Sequence, residues 1–277
     1  MRGGTGKHYA SSLKKGGEII LYISENLGDK YKVVDILVDR DYIWHINGLP
    51  INTSDLVNKV DIVWNTSHPS FSNILDSLLI PNIGVSSFFY AQEDSKDILR
   101  EHIKKIGIHM PRRVVAPKNA QEVFKKFGAP WIVKINNEIK MAQTFNELAE
   151  LINNQENLIV EEFIAGKIAS VHSVRGFRKH LPAQAGDIYT FPLGNPYGIF
   201  SGEEKEKLNT LAKDLHKHIN SKHYLKSDFV MNPRGKIYLL QIDEIPNLKQ
   251  GLHFEEVCES VGAKMHHVVE HVLEQAT

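Results

Sequence analysis

Short β-branched runs alternate with longer amphipathic stretches along the whole chain, and this alternation constrains the fold more than any single motif. A strand buries every second residue and a helix every third or fourth, so a chain that switches between the two periods must cover its sheets with helices. Residues 31–38, 61–65 and 80–84 read as strands and residues 11–27 and 70–79 as helices, one small α/β layer. A charged helix over 95–106 leads through Gly107 to a short strand at 112–116. The alternation then repeats as helix 120–127, strand 131–135, helix 145–153 and strand 158–162. Residues 168–189 read as irregular strand and loop, and Gly186, Pro192, Gly194, Pro196 and Gly198 mark a further loop. Ser201 and Glu204 stand at capping-box spacing ahead of the helical stripe Leu208, Leu211, Ala212, Leu215 and Ile219. No repeat, low-complexity tract or flexible linker separates these parts, so they are expected to pack closely.

Composition removes several classes of function. The 277 residues carry 33 basic and 33 acidic side chains, and 42% are hydrophobic. A nucleic-acid binder would show a basic excess, and a disordered chain a charge excess with fewer apolar residues. No run approaches the roughly 18 apolar residues of a membrane span, and residues 1–5 do not resemble a signal peptide. These readings predict a cytoplasmic protein without nucleic-acid or membrane partners. The single cysteine, Cys258, has no basic neighbour to activate it and reads as a buried thiol. Residues 2–7 deviate from a P-loop, because His8 replaces the hydroxyl residue that would hold magnesium. His267-Val268-Val269-Glu270-His271 matches a metalloprotease pattern, but reads as an ordinary i, i+4 histidine pair on a surface helix.

The most informative segment is 224–248, where Asn232-Pro233-Arg234-Gly235 marks a turn between two β-rich runs. A four-residue loop would set Met231 opposite Lys236, Asp228 opposite Leu239 and Lys226 opposite Gln241. Strand period then places Lys226, Asp228, Leu239, Gln241 and Asp243 on one face. Two carboxylates, an amide and an ammonium on one face suit a hard cation held together with substrate phosphates. An exposed polar face with a surface ion pair is the alternative for the hairpin taken alone.

With these residues in view, the hairpin resembles the metal-binding strand pair of ATP-grasp enzymes, and the whole chain resembles the D-alanine-D-alanine ligase family. Gly3-Gly4-Thr5 with Ser12-Leu13-Lys14-Lys15-Gly16 is similar to the family's opening glycine turn and first helix. Asp61-Ile62-Val63-Trp64 through His68 resembles the strand ending in its histidine loop. Lys96, Lys134 and Glu161-Glu162-Phe163-Ile164 match its two ATP lysines and the hinge that holds adenine, and Asp228, Gln241 and Asp243 its three magnesium ligands. The resemblance implies an α/β fold with a small N-terminal domain, residues 1–92, whose first strand is missing. Two ATP-grasp subdomains follow, 93–165 and 166–277. It implies a ligase that uses ATP and magnesium or manganese to join amino acids such as D-alanine through an acyl phosphate, for cell-wall precursor synthesis. Lys226 and His68 would be catalytic, His8 would bind the first substrate, and a homodimer would form through the first domain.

The departures from the family point to a second reading. Gln241 stands for a glutamate and Asp243 for an asparagine, so the summed formal charge of the three ligands is unchanged. Lys226 stands for an arginine and loses its bidentate fork. His8 replaces the glutamate that holds the substrate ammonium, which allows a different amino acid. The family's glycine-rich lid is replaced by 135–142, with no glycine between Ala129 and Ala165, although Asn136 or Lys140 could reach the phosphate with a side chain. Amides cannot easily wrap a phosphate there, so an impaired homologue that binds nucleotide without making dipeptide is the alternative.

Overall fold

A computed structural model describes residues 1–4, 8–84, 100–101, 103–135, 138–153, 158–177, 187–193, 198–249 and 251–276. Of the helix expected at 95–106, residues 95–99 and 102 lie outside them, and 100, 101, 103 and 104 are helical.

The first part carries the stub β1 (Arg2–Gly3), helix α1 (Tyr9–Asn26), β2 (Ile36–Val38), β3 (Trp44–Ile46), β4 (Leu49–Ile51), β5 (Val63–Asn65), α2 (Ser70–Ser77) and β6 (Asn82–Gly84). β1 runs parallel to β2, and β3 and β4 extend that sheet as antiparallel neighbours. A short strand therefore does precede the glycine turn. β2 is shorter than the expected 31–38, because β1 offers it only Arg2 and Gly3 as ladder partners. α1 forms because Ile19, Tyr22, Ile23 and Leu27 recur at helical spacing on its buried side.

The second sheet runs β7-β10-β8-β9, from β7 (Arg113–Val115), β8 (Trp131–Ile135), β9 (Glu138–Ala142) and β10 (Leu158–Glu162). Trp131, Val133, Leu158 and Val160 alternate onto one face, where α3 (Ala120–Phe124) and α4 (Phe145–Asn153) cover them. The described residues of the segment standing for the lid, 135 and 138–142, are thus all strand. β9 pairs with β8 from Ala142 opposite Trp131 to Glu138 opposite Ile135.

The third sheet runs β12-β11-β13-β14, from β11 (Lys167–Arg175), β12 (Ile188–Thr190), β13 (Tyr224–Met231) and β14 (Ile237–Asp243). In place of the irregular strand and loop expected over 168–189, a regular nine-residue strand, Lys167–Arg175, pairs with all of β13. Helix α5 (Gly202–His218) starts at the Ser201 and Glu204 capping box and lays Leu208, Ala212 and Leu215 on this sheet against Leu225, Phe229 and Leu239. Helices α6 (His253–Ser260) and α7 (Met265–Ala276) follow. Their apolar sides share one core with α1 and with Val174 of β11, so the first and third parts of the chain are packed as one body.

The hairpin departs from the expected register. Asn232 N donates to Lys236 O and the Asn232 side chain accepts from Arg234 N and Lys236 N, which makes a tighter turn with Gly235 in the left-handed region at φ 76°. Met231 accordingly faces Ile237 and Phe229 faces Leu239, and a bulge then sets Asp228 opposite Gln241 and Lys226 opposite Asp243. Leu239 leaves the polar face and enters the core at 0% exposure. Leu239→Ala should lower unfolding stability by about 2 to 5 kcal/mol and Leu240→Ala by clearly less, measured by urea midpoints; the four-residue-loop register predicts the reverse order.

Candidate functional site

Lys226, Asp228, Gln241 and Asp243 meet on one face of the third sheet. Asp228, only 9% exposed, accepts from Ser170 Oγ at 2.5 Å, Lys226 Nζ at 3.0 Å and Gln241 Nε2 at 2.7 Å. Asp243 accepts from Lys15 Nζ of α1 at 2.8 Å and from Ile245 N at 3.0 Å. Two ammonium groups therefore oppose two carboxylates. No group of three or more His, Cys, Asp or Glu side chains that could hold a metal ion occurs among the described residues. The donor set fits one magnesium or manganese ion, with Asp228 and the Gln241 carbonyl supplying hard oxygens and substrate phosphates completing the shell.

Below this face lies a chain of hydrogen-bonded rings. His172, opposite Lys226 on β11, joins its Nδ1 to Tyr224 Oη at 2.7 Å and its Nε2 to His253 Nδ1 at 2.9 Å. Burial, then the charges of His253 and Lys226, hold the His172 imidazole well below its ordinary 6.5, and burial beside Asp243 and Asp228 pushes the Tyr224 phenol well above 10. On the opposite face, His216 Nδ1 lies 2.8 Å from Ser173 Oγ, and burial lowers its pKa to about 3.

The second sheet offers a separate set of groups. Lys134 Nζ meets Glu161 Oε2 at 2.6 Å on the face not covered by helices. Ile139, Met141 and Val115 share this face by register and are exposed. Glu162 points the other way and is held by the Arg112 guanidinium, which keeps its carboxyl below the ordinary range. The Glu162 amide donates to Arg112 O and the Phe163 amide to Pro130 O, while Phe163 and Ile164 are partly exposed.

The first part contributes the Gly3-Gly4 turn, on which Ser67 Oγ donates to Gly3 O at 2.8 Å, beside the His68 loop. His68 Nδ1 lies 2.7 Å from Ser70 Oγ at the start of α2, and the His8 carbonyl accepts from Ser12 N at the start of α1. Lys96 lies outside the described residues, as does Asn136; Lys140 is exposed and pairs with Glu138. His267 accepts from the Lys264 amide and His271 bonds the Arg175 carbonyl, so the histidines of the C-terminal pattern serve the fold. Sequence reasoning missed Lys15, Ser170 and His172 as neighbours of the carboxylates. The cross-strand positions of Ser170 and His172 follow from the β11–β13 register, whereas nothing local marks Lys15.

No family model matches the chain. It is 24% identical to the D-alanine--D-alanine ligase of Aquifex aeolicus (strain VF5), over 90% of each chain. Among solved structures it resembles the D-alanine--D-alanine ligase of Bacillus anthracis complexed with ATP, with TM-score 0.70 and 18% identity over 99% of this chain and 94% of that one. It also resembles the VanG D-Ala:D-Ser ligase of Enterococcus faecalis, with TM-score 0.71 and 15% identity over 100% and 98%. The fold is therefore the α/β ATP-grasp fold, a small N-terminal α/β domain followed by two subdomains. Within that class the chain is a divergent relative of the D-alanine-D-alanine ligases.

The buried histidines give a test of the structure. His216 stays neutral in the folded chain to about pH 3 but titrates near 6.5 when unfolded, so the unfolded state binds more protons between those values. Stability is therefore lost as pH falls through that window, at up to about 1.4 kcal/mol per pH unit from this histidine. His216→Gln should make the acid slope of the urea midpoint shallower, and an unchanged slope contradicts a buried neutral ring.

Proposed function

We propose that the protein is an ATP-dependent carboxylate-amine ligase of the D-alanine-D-alanine type, forming a dipeptide for cell-wall precursor synthesis. The observation that carries this reading is the convergence of Lys226, Asp228, Gln241 and Asp243 on one face, in a chain related to such ligases over nearly its whole length. Residues 1–92, 93–165 and 166–277 are taken as its three parts. The protein acts in the cytoplasm, as a homodimer through the first part.

Lys134, already aimed by Glu161, and Lys96 supply point charges for phosphate, and the apolar surface of Ile139 and Met141 gives a flat ring a place to lie. The amides of Glu162 and Phe163 are engaged in the fold, so the adenine edge falls to the Ile164 amide and the hinge carbonyls. Magnesium, when bound, draws negative charge from the phosphates as the first substrate's carboxylate attacks the γ-phosphate. Lys226 then holds the oxyanion formed when an amine attacks the acyl phosphate. His8 and His68 flank the glycine turn, where the first amino acid would sit. With His8 in place of an acid, an amino acid other than D-alanine is a natural variant of this reading.

One observation favours an impaired homologue that binds nucleotide without making dipeptide. β8 and β9 pair up to Ile135 opposite Glu138, and this hairpin has no glycine to bring amides against a γ-phosphate. Two lost charge-assisted hydrogen bonds, each worth roughly 1.5 to 3 kcal/mol, would slow transfer by about two to four orders of magnitude.

Phosphate release dependent on D-alanine, with the product identified by mass, tests the ligase reading. Turnover near the ordinary median of about 10 per second excludes the impaired homologue, and ATP binding without phosphate release on addition of D-alanine or of any other amino acid selects it. Calorimetry gives a further check. Lys134→Ala should weaken ATP binding about tenfold or more while leaving the melting temperature nearly unchanged, and a large loss of stability with unchanged binding assigns Lys134 a purely structural role.

A further inference from the structure

The Lys15–Asp243 bridge joins residues 228 positions apart, and its place on the metal face gives it a consequence. Asp243 is one of the two carboxylates there, and both its oxygens are engaged, Oδ2 by the Lys15 ammonium and Oδ1 by the Ile245 amide. A magnesium ion on the same oxygen would stand about 2.0 to 2.1 Å away and so within a few ångströms of a fixed positive charge. The helix that carries Lys15 is fixed beside Asp243, because Ile19, one turn further along α1, is 4% exposed in the core shared with α6 and α7. Lys226 differs. It stands on the sheet, two residues from Asp228, and pairs with Oδ2, while Asp228 Oδ1 accepts from the neutral Ser170 hydroxyl. A divalent ion at Asp243 must therefore displace an ammonium from Oδ2 or a backbone amide from Oδ1, whereas at Asp228 Oδ1 it meets a neutral hydroxyl.

We infer that Lys15 is an internal cation that takes the place of a second divalent ion, so that this face loads a single metal ion with its nucleotide. The inference rests on the nucleotide-binding reading and deepens it. Lys15 neutralises Asp243 and presents a positive charge beside the position the phosphates would take. Two ammoniums and two carboxylates leave no excess negative charge on the face, so attraction for a dication must come from the nucleotide. Removing the ammonium restores one negative charge and an open carboxylate at Asp243.

The test counts manganese by electron paramagnetic resonance at saturating AMPPNP, a non-hydrolysable ATP analogue, with nucleotide binding followed separately by calorimetry. The wild-type protein should hold one manganese ion per bound nucleotide. Lys15→Met should hold two, or bind a second at least about tenfold more tightly than the wild type does. The double variant Lys15→Met with Asp243→Asn should return to one, because the carboxylate that Lys15 shields is gone. Two ions in the wild type, or one in a Lys15→Met protein that binds AMPPNP normally, overturns the inference and leaves the nucleotide reading intact. Absence of AMPPNP binding to the wild type overturns that reading and the inference with it. The wild-type count needs no variant, and Lys15→Gln serves if the methionine variant fails to fold by circular dichroism.

Discussion

A single extra residue in the β13–β14 ladder decides what the third sheet can do. The tight turn at Gly235 alone would carry every residue of β14 to the wrong side for a polar site, because one step of register exchanges the two faces of a strand. The bulge between Asp228 and Phe229 supplies the second step. Leu239 then goes to the core with Phe229 and Leu225 under α5, while Gln241 and Asp243 come beside Asp228 and Lys226. Core packing and site chemistry thus share one strand pair, and the apolar side fixes the register that the polar side needs.

The same sheet is tied to the first part of the chain by a common core of α1, α6, α7 and Val174. That core determines how closely α1 passes β14, and hence whether Lys15 reaches Asp243. Between them Tyr224 and His172, both buried, are hydrogen-bonded to each other and held neutral by burial, and His172 Nε2 reaches His253 Nδ1 at 2.9 Å. Keeping the Lys15–Asp243 pair partly exposed at the rim avoids the desolvation that can exceed the attraction of a buried ion pair.

Residues 131–135, 145–153 and 158–162 form the elements their periodicity predicts, because both faces of that sheet carry clear apolar or polar preferences. β11 was not legible, because Ser170, His172 and Ser173 interrupt the apolar pattern and only the ladder with β13 makes Lys167–Arg175 a strand. The β2 boundary depends on which partner residues are present, and the hairpin register on a bulge, neither of which local periodicity encodes. Asp228, Gln241 and Asp243 could be picked out by alternation and resemblance, whereas Lys15 could not. A contact between positions 15 and 243 is a property of helix packing, and a lysine on a helix ordinarily signals only a solvated face.

The two ligand departures act together rather than separately. Across the ladder, position 241 faces Asp228 and position 243 faces Lys226. A glutamate at 241, as the resembled family has, would set two carboxylates opposite each other, and like charges directly opposite destabilise a sheet unless a cation lies between them. Gln241 replaces that repulsion with an amide donor 2.7 Å from Asp228, so the face is satisfied without an ion. The displaced charge reappears at Asp243, where Lys226 is the ladder partner and Lys15 the hydrogen-bonding one. With the charge one pair further along the strand, both carboxylates of this face are met by ammonium and amide donors.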